Sequence, residues 1–275
     1  MWLKFYGVRG STPSVTEANS RYGGNTACVV LEEPGEDPII FDLGTGLRIY
    51  GVVAPADGTF VGTALVTHLH WDHVQGLPFF PPLFHAGSSL TVYAPSQEPE
   101  TLAETFERLM QPPFFPVRPS ELGGTIDFQG IGRQSMTIGR RTVTAIPVPH
   151  VGSTLGYRIE GPGGSVAYIS DHQAPRDLAT VSPEVVELAS NVDVLIHDAQ
   201  YTPAEFELKS TWGHCTTEYA LLVARTAGAR RLVMFHHDPT HSDNVIDRLY
   251  TELQQAAKGT GVEVLVAHEG LIVKV

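Results

Sequence analysis

The sequence predicts an α/β fold in which two β-sheets pack face to face with helices outside them, a four-layer αββα sandwich. Short apolar, β-branched runs recur along the 275 residues, and most are bounded by Gly, Pro, Asp or Asn, as strands are. Segments with apolar residues at three- and four-residue spacing, typical of helices, lie between some of these runs. The strands form two broad blocks, each followed by helices. Because no linker or internal repeat divides the chain, we expect one domain over residues 1–275.

The predicted elements extend over the whole chain. The expected strands are Trp2–Val8, Ala27–Leu31, Ile39–Asp42, Ala64–Thr67, Ser89–Tyr93, Arg141–Val148, Leu155–Ile159, Val166–Ile169, Val192–Ile196, Arg231–Phe235, Val262–Val266 and Leu271–Val275. The expected helices are Pro99–Met110, Pro183–Ala189, Thr216–Ala227 and Asp243–Ala257. The stretch Gln111–Gly124 holds four prolines and two phenylalanines and is predicted to be an ordered loop, with a lid or a dimer contact as alternatives.

The chain is acidic, with a net charge of −12 and a pI near 5.4. This balance argues against a broad basic surface of the kind that binds nucleic acid. A polyanionic substrate would need locally supplied cations, such as bound metal, whereas a small phosphate ester needs only a local positive spot.

Cysteine usage and the N-terminus indicate the compartment. Cys28 and Cys215 are too few for a disulfide framework, so we expect two free thiols in a reducing compartment. The first residues, Met1–Gly7, lack the charged and apolar regions of a signal peptide. No apolar run approaches the roughly 18 residues that span a bilayer. We therefore expect a cytoplasmic protein without a membrane partner.

The segment His68-Leu-His70-Trp-Asp72-His73 follows an expected strand and has the spacing of metal ligands. In an extended segment His68 and His70 point to the same side, so both imidazoles reach one cation. Asp72 and His73 follow where the chain turns and can serve a second cation. Imidazole and carboxylate together suit zinc, iron or manganese. A histidine-rich surface turn is the alternative.

Further ligand types stand at the ends of later strands. His150 follows Arg141–Val148, Asp171 follows Val166–Ile169, and His236 follows Arg231–Phe235. Strand ends at one edge of a sandwich can converge on one point. A carboxylate such as Asp171 can bridge two cations about 3.5–4 Å apart with its two oxygens.

On these residues the chain resembles the metallo-β-lactamase superfamily and, within it, the branch that includes ribonuclease Z and related phosphodiesterases. The histidine motif indicates the superfamily, and motifs along nearly the whole chain indicate the branch. These motifs are Gly7-Val-Arg-Gly-Ser-Thr-Pro13, Tyr22-Gly-Gly-Asn-Thr26, Phe41-Asp-Leu-Gly-Thr-Gly46, Ser170-Asp171, His197-Asp-Ala-Gln-Tyr201, Gly213-His-Cys-Thr216 and Phe235-His-His-Asp-Pro239.

The resemblance implies a metallo-β-lactamase fold with two divalent metal ions. One ion is held by His68, His70, His150 and Asp171, and the second by Asp72, His73, Asp171 and His236. This ligand set suits zinc and tolerates manganese or iron.

The resemblance also implies a role for His214, just ahead of the expected helix Thr216–Ala227, as a partner for the phosphate and the leaving group. In the ribonuclease Z branch an acidic residue supports this histidine. Here that acid is Asp198, one carbon shorter than the more usual glutamate, so we expect a longer contact. A histidine that only caps the helix is the alternative.

Other polar residues receive structural interpretations or stay ambiguous. Strand alternation allows only one of His236 and His237 to face the metals, and His236 is the predicted ligand. Asp42 is interpreted as support for a ligand histidine or as a turn residue. Candidates for a substrate contact at the rim are His241 and His268, and His85 and His172 are assigned to the surface or to packing.

These features predict a phosphodiesterase that uses a metal-bridging hydroxide on a small or exposed phosphodiester, such as a cyclic nucleotide. Asp72 would orient the hydroxide or accept its proton, and His214 would protonate the departing oxygen. We do not expect tRNA as a substrate, because the chain is acidic and has no long Gly-rich or basic insertion. A homodimer is expected from the resemblance, with Gln111–Val117 as a candidate contact.

Two other functions compete with this prediction. The same metal site could polarise a carbonyl group, as in lactonases, thioesterases or lactamases, but the element Gly213-His-Cys-Thr216 favours the phosphodiesterase branch. A binding protein that has lost catalysis is the alternative from another class. It is disfavoured because every expected ligand is present.

Overall fold

The computed structural model describes residues 1–275, which form fourteen strands and seven α-helices. The strands are β1 (Trp2–Gly7), β2 (Cys28–Glu32), β3 (Ile39–Phe41), β4 (Val61–Leu65), β5 (Ser89–Pro95), β6 (Thr125–Ile131), β7 (Gln134–Ile138), β8 (Arg141–Pro147), β9 (Leu155–Gly161), β10 (Gly164–Ile169), β11 (Val194–Asp198), β12 (Arg231–Phe235), β13 (Glu263–Val266) and β14 (Ile272–Lys274). The helices are α1 (Gly46–Val53), α2 (Trp71–Val74), α3 (Leu102–Leu109), α4 (Pro183–Ala189), α5 (Pro203–Lys209), α6 (Thr217–Ala227) and α7 (Asp243–Ala256).

The strands form two seven-stranded sheets. The first has the order β14-β1-β2-β3-β4-β5-β6, and the second has the order β13-β12-β11-β10-β9-β8-β7. Within the first sheet β3 to β6 run parallel, and within the second β10 to β13 run parallel. The last strand, β14, pairs with β1, so both ends of the chain meet in one sheet.

The core lies in three apolar layers. The middle layer fills the space between the sheets, where Phe41 of the first sheet stacks on Tyr168 of the second with ring centroids 4.7 Å apart. A second layer packs α1 and α3 against the first sheet, and a third packs α4, α6 and α7 against the second. The predicted four-layer αββα sandwich is therefore confirmed.

Five elements of the structure were not predicted from the sequence: β6, β7, α1, α2 and α5. Both β6 and β7 are edge strands with mostly exposed residues, so neither gives a buried apolar run. Helix α1 contains two glycines and was missed because its position depends on packing against the first sheet. The short helices α2 and α5 were also not predicted, and the predicted loop Gln111–Gly124 contains one 3₁₀ turn, Pro119–Glu121.

The polar motifs follow the C-terminal ends of parallel strands and therefore lie at one edge of the sandwich. Because parallel strands end at the same edge of a sheet, the segments after β3 and β4 lie together, as do those after β10, β11 and β12. The segment after β8 joins them, since β8 and β10 both pair antiparallel with β9. This edge is where the candidate site forms.

Two further features bear on the sequence predictions. Cys28 and Cys215 are both buried and form no disulfide, in agreement with the expectation of free thiols. Among the helices of this structure, none combines the length and the apolar character that a bilayer crossing needs.

A fully buried arginine connects the N-terminal segment to the loop that follows β12. Arg9 donates from Nε to the carbonyl of Gly23 at 2.8 Å and from Nη1 to the carbonyls of Asp238 at 3.1 Å and His241 at 2.8 Å. These partners are backbone oxygens, and each would lose its charged donor together with the guanidinium.

We predict that Arg9→Met lowers the free energy of unfolding by about 2–4 kcal/mol, because buried carbonyl groups lose their donors. Urea unfolding followed by circular dichroism measures this change. The matched control is Arg230→Met, which removes an exposed guanidinium 3.1 Å from Asp193 and should cost less than about 1 kcal/mol. Equal losses in the two variants would contradict this role of Arg9.

Candidate metal centre

The predicted ligands meet at the edge where the parallel strands end. The histidine motif follows β4, His150 follows β8, Asp171 follows β10 and His236 follows β12. Groups of side chains that offer ligand atoms within 4.8 Å of one another include all seven predicted ligands, and they also include His214. The structure thus brings these residues together, and their role as ligands stays a prediction.

One group is formed by three imidazoles and a carboxylate. His68 Nε2 lies 2.8 Å from His70 Nδ1, which in turn lies 3.4 Å from His150 Nε2. Asp171 Oδ1 completes the group at 3.9 Å from His68 Nε2 and 4.0 Å from His150 Nε2. Nitrogen lone pairs this close together require a shared proton or a cation between them.

The second group lies deeper and shares Asp171. His73 Nε2 is 3.1 Å from Asp72 Oδ2 and 3.2 Å from Asp171 Oδ2. His236 Nε2 is 3.2 Å from Asp72 Oδ2 and 3.5 Å from Asp171 Oδ1. The two oxygens of Asp171 therefore contact both groups, which is the geometry of a bridging carboxylate.

The donor set fits divalent cations. His73 Nε2 and Asp171 Oδ2 are buried and lie 3.2 Å apart, yet neither makes a hydrogen bond within the protein. Because His73 donates from Nδ1 to Asp42, its Nε2 presents a lone pair to the carboxylate. Buried polar atoms are almost always hydrogen-bonded, so orphaned atoms on facing ligand groups indicate that a missing partner lies between them. Imidazole nitrogen and carboxylate oxygen are ligands of first-row divalent metals.

Partners on the far ring nitrogens orient the first two histidines. Asp42 Oδ2 accepts from His73 Nδ1 at 2.8 Å. The Thr67 hydroxyl lies 3.0 Å from Asp42 Oδ1 and 3.1 Å from His68 Nδ1. Because the hydroxyl donates to the carboxylate, it accepts from His68 Nδ1. Both rings therefore present Nε2 to the centre, as expected for Asp42 as a support.

Two more of the predicted ligand histidines, His150 and His236, are oriented in the same way. His150 Nδ1 donates to the carbonyl of Gly213 at 2.7 Å, and His236 Nδ1 donates to Gln200 Oε1 at 2.8 Å. A Cβ on Gly213, whose φ is +97°, would lie 2.4 Å from the His150 ring. Only glycine allows the ring to approach the backbone so closely.

Burial and charge act in opposite directions on the histidine pKa values. Burial lowers the pKa of His68 and of His150, which favours the neutral rings that metals bind. Burial also disfavours the charged form of His73, but the carboxylates of Asp72 and Asp171 outweigh it and raise that pKa. A cation would satisfy the same carboxylates and leave this ring neutral.

Backbone conformation separates His236 from its neighbour. His236 has a φ of 59°, in the left-handed region that residues other than glycine rarely adopt, and Asp42 has a φ of 58°. His237 instead lies close to the carbonyl of Ala267, with Nε2 at 2.9 Å, and burial lowers its pKa to about 3. The structure thus places His236 at the centre and His237 away from it.

His214 and Asp198 form a buried pair beside the two groups. His214 Nδ1 lies 3.0 Å from Asp198 Oδ2. The expected longer contact is not observed, because the backbone N–H groups of His172 and Gln200 each donate to Asp198 at 3.0 Å and fix its position. The N-cap of α6 is Thr216, so His214 is not the capping residue of this helix.

The remaining histidines make structural contacts. His241 Nε2 lies 2.8 Å from Glu205 Oε1, and His268 Nδ1 lies 2.9 Å from the carbonyl of Glu269. Neither lines the cavity above the ligands. His85 is exposed, and the predicted packing role fits His172, which is buried with Nδ1 3.0 Å from His197 Nε2.

A cavity of about 470 Å³ opens over the ligand groups. Several residues that line this cavity received no role from the sequence. Some lie within the motifs that carry the resemblance, which was the available signal: Ser11, Trp71, Gln200, Tyr201, Asp238 and Pro239. The others, Lys209, Trp212 and Thr240, belong to no such motif.

Comparison with known proteins agrees with the fold and the site. A family model described as a β-lactamase superfamily domain matches residues 40–237, more than half of the chain. Ribonuclease BN of Cronobacter sakazakii is 28% identical, with 92% of this chain and 94% of that protein covered.

Two solved structures resemble the chain over nearly its whole length. The metallo-β-lactamase fold protein YhfI from Bacillus subtilis has a TM-score of 0.73 at 20% identity, covering 99% of this chain and 98% of that one. The short form of human tRNase Z has a TM-score of 0.71 at 20% identity, with the same coverage.

These names correct one expectation from the sequence. The exclusion of tRNA is wrong, because similar proteins bear the names ribonuclease BN and tRNase Z. The net charge of −12 averages over the whole surface, whereas binding of a polyanion depends on the field at the site itself. The expected superfamily is confirmed. The chain belongs to the β-lactamase superfamily and is a metal-dependent hydrolase with the metallo-β-lactamase fold.

Proposed function

We propose that this chain is a two-metal phosphodiesterase that acts as one domain over residues 1–275. Asp171 is the observation that carries the proposal. Its Oδ1 lies 3.9 Å from His68 Nε2 in one ligand group, and its Oδ2 lies 3.2 Å from His73 Nε2 in the other. A carboxylate between two ligand sets is suited to bridge two cations about 3.5–4 Å apart.

Zinc is the proposed metal. Histidine nitrogens and aspartate oxygens are common zinc ligands, and each group offers an open side toward the cavity. Manganese and iron are the alternatives that metal analysis distinguishes. When bound, two such cations supply the Lewis acidity that lowers the pKa of a water molecule and neutralises charge on the phosphate oxygens.

Asp72 is proposed to accept the proton of the attacking water. Its Oδ2 accepts from the backbone N–H of Ser11 at 2.7 Å and lies beside His73 and His236. This contact fixes the carboxylate at the floor of the cavity, which Asp72 lines. The other oxygen, Oδ1, is then free to orient the water.

His214 is proposed to protonate the leaving oxygen. Because Nδ1 faces Asp198, the opposite ring nitrogen, Nε2, is directed toward the cavity that His214 lines. The buried carboxylate of Asp198 holds the orientation of the ring through Nδ1. Leaving alkoxides need such a proton because they are strong bases.

Lys209 supplies the one lysine or arginine that lines the cavity. Its Nζ lies 3.2 Å from Asp238 Oδ2 and 4.9 Å from the centre of the Tyr201 ring. The position suits attraction of an anionic substrate to the metal centre. A phosphodiester also fits the relative named ribonuclease BN, since ribonucleases cleave phosphodiester bonds.

We predict that the purified protein holds about two divalent metal ions per chain, the number that a two-metal mechanism requires. Chelation should abolish hydrolysis of bis(p-nitrophenyl) phosphate and of an RNA oligonucleotide with a 3′ extension, and zinc should restore it. Plasma mass spectrometry and the two assays measure this. If the protein binds metal but hydrolyses neither phosphodiester, carbonyl compounds become the proposed substrates. A folded protein that binds no metal would refute the two-metal mechanism.

We predict that Asp171→Asn reduces the metal content, because one change weakens both ligand groups that the carboxylate contacts. Metal analysis after dialysis measures the loss. The control is Asp177→Asn, which changes an exposed carboxylate outside both groups. Retention of two metals in the Asp171 variant would argue against a bridging role.

We predict that His214→Ala lowers kcat by about 10²–10⁴-fold with an ordinary leaving group, because proton donation to the leaving oxygen is lost. The loss should shrink for p-nitrophenolate, which leaves without a proton, and Asp198→Asn should show the same trend. Steady-state kinetics with both kinds of ester test this. The control is His85→Ala, an exposed histidine. An equal loss for both leaving groups would contradict the role of His214.

A further inference from the structure

A second cavity of about 360 Å³ adjoins the metal site and is mainly apolar. Its apolar lining consists of Leu69, Trp71, Phe106, Leu109 and Phe114. Trp71 lines this cavity and the cavity over the metal ligands, so the two spaces share one wall. A molecule bound at the metal site could therefore extend into the apolar cavity.

The histidine motif itself builds this shared wall. Leu69 stands between the predicted ligands His68 and His70, and Trp71 follows as the first residue of α2. Helix α3 provides the opposite wall with Phe106 and Leu109. The apolar cavity thus begins one residue away from the ligands of the first group.

Two aromatic rings of the cavity are largely exposed to solvent. Trp71 is 64% exposed and Phe114 is 80% exposed, and neither contacts another aromatic ring. The next residue, Phe115, packs edge-on against Phe79 with centroids 5.7 Å apart. Because Phe115 fixes this part of the loop, the fold does not require the exposed ring of Phe114. Exposed apolar clusters of this kind mark binding sites.

The polar groups of the cavity are already occupied within the protein. Arg108 forms an ion pair with Glu100, and the Thr105 hydroxyl donates to the carbonyl of Thr101 at 3.2 Å. What the cavity offers a ligand is therefore apolar and aromatic surface. A flat aromatic group matches it, since rings stack on tryptophan and phenylalanine with little dependence on sequence.

We propose that the cavity between Trp71 and Phe114 is a subsite for a nucleobase on the group that stays attached to the phosphate. The inference rests on the proposed phosphodiesterase function and names its substrate class, a nucleoside phosphodiester. His214, to which the leaving oxygen is assigned, lines the cavity over the metal ligands but not the apolar cavity, so the retained group is assigned to the apolar cavity. The volume of about 360 Å³ lies within the range of small-molecule pockets.

The first test is binding rather than turnover. Titration calorimetry on the zinc-loaded protein compares AMP with ribose 5-phosphate, which share the phosphate and the sugar but differ in the base. AMP should bind about tenfold more tightly or better, as expected for one base stacked on aromatic side chains. Trp71→Ala and Phe114→Ala should each reduce this preference. Equal affinity of the wild-type protein for the two ligands would overturn the subsite.

Matched controls separate the subsite from general effects. Trp2→Ala removes a tryptophan that lines a different cavity, and Phe84→Ala removes an exposed phenylalanine that lines neither of the two. Both controls should keep the preference for AMP. The Phe114 variant is essential, because Trp71 is adjacent to ligands whereas Phe114 is remote from them in sequence. Loss of the preference in the controls, or its retention in both subsite variants, would contradict the proposal.

Hydrolysis of two esters that share a leaving group tests whether the apolar cavity binds the group that stays attached to the phosphate. Bis(p-nitrophenyl) phosphate and methyl p-nitrophenyl phosphate release the same phenolate but retain an aryl or a methyl group. The wild-type kcat/KM should favour the aryl ester by about tenfold, and Phe114→Ala should reduce that ratio. An unchanged ratio overturns the subsite. If neither these esters nor the RNA oligonucleotide is hydrolysed, the proposed function fails while the AMP titration still decides the subsite. A change of oligomeric state in Phe114→Ala without a change in AMP binding would instead assign the cavity to a second copy of the chain.

Discussion

The site depends on the burial of two carboxylates, Asp72 and Asp171. They lie among four imidazoles that have almost no contact with water, those of His68, His73, His214 and His236. A buried charge is tolerated only when opposite charge and hydrogen bonds compensate for its lost hydration. Within the protein alone that compensation is incomplete, since Asp171 Oδ2 and His73 Nε2 make no hydrogen bond. Divalent cations held between these atoms would supply the missing partner, and the predicted metal site would then complete the electrostatics of the sandwich edge as well as its chemistry.

The surroundings of the ligands show how rigidly the chain fixes them. Asp42, Gly213 and Gln200 accept hydrogen bonds from the ring nitrogens that face away from the centre. Each contact selects the tautomer that leaves the other nitrogen for a cation. The left-handed backbone of Asp42 and His236 is tolerated because these contacts repay its strain. The hydrogen bonds and left-handed residues at this edge therefore position the predicted ligands more than they stabilise the apolar core.

Most of the fold could be predicted from the sequence, and individual strands and helices show why. Buried strands such as β2 and β12 contain continuous apolar runs, and α7 shows an apolar stripe at helical spacing, so local pattern and tertiary environment agree. The edge strands β6 and β7 lack this agreement, because their few apolar residues alternate with exposed polar ones and form no continuous apolar run. Helix α1, with its glycines, is held by contacts with the sheet that no local rule contains.

By itself the sequence determined the types and spacing of the predicted ligands and the order of the strands that end in them, because motif residues and strand patterns are local properties. Only the tertiary structure decided which of His236 and His237 faces the centre, since a left-handed residue after β12 turns the chain. It also decided that Gln200 accepts a hydrogen bond from the predicted ligand His236 and that Trp71 lines two cavities. Such relations join residues far apart in sequence, and only packing of the two sheets sets their distances.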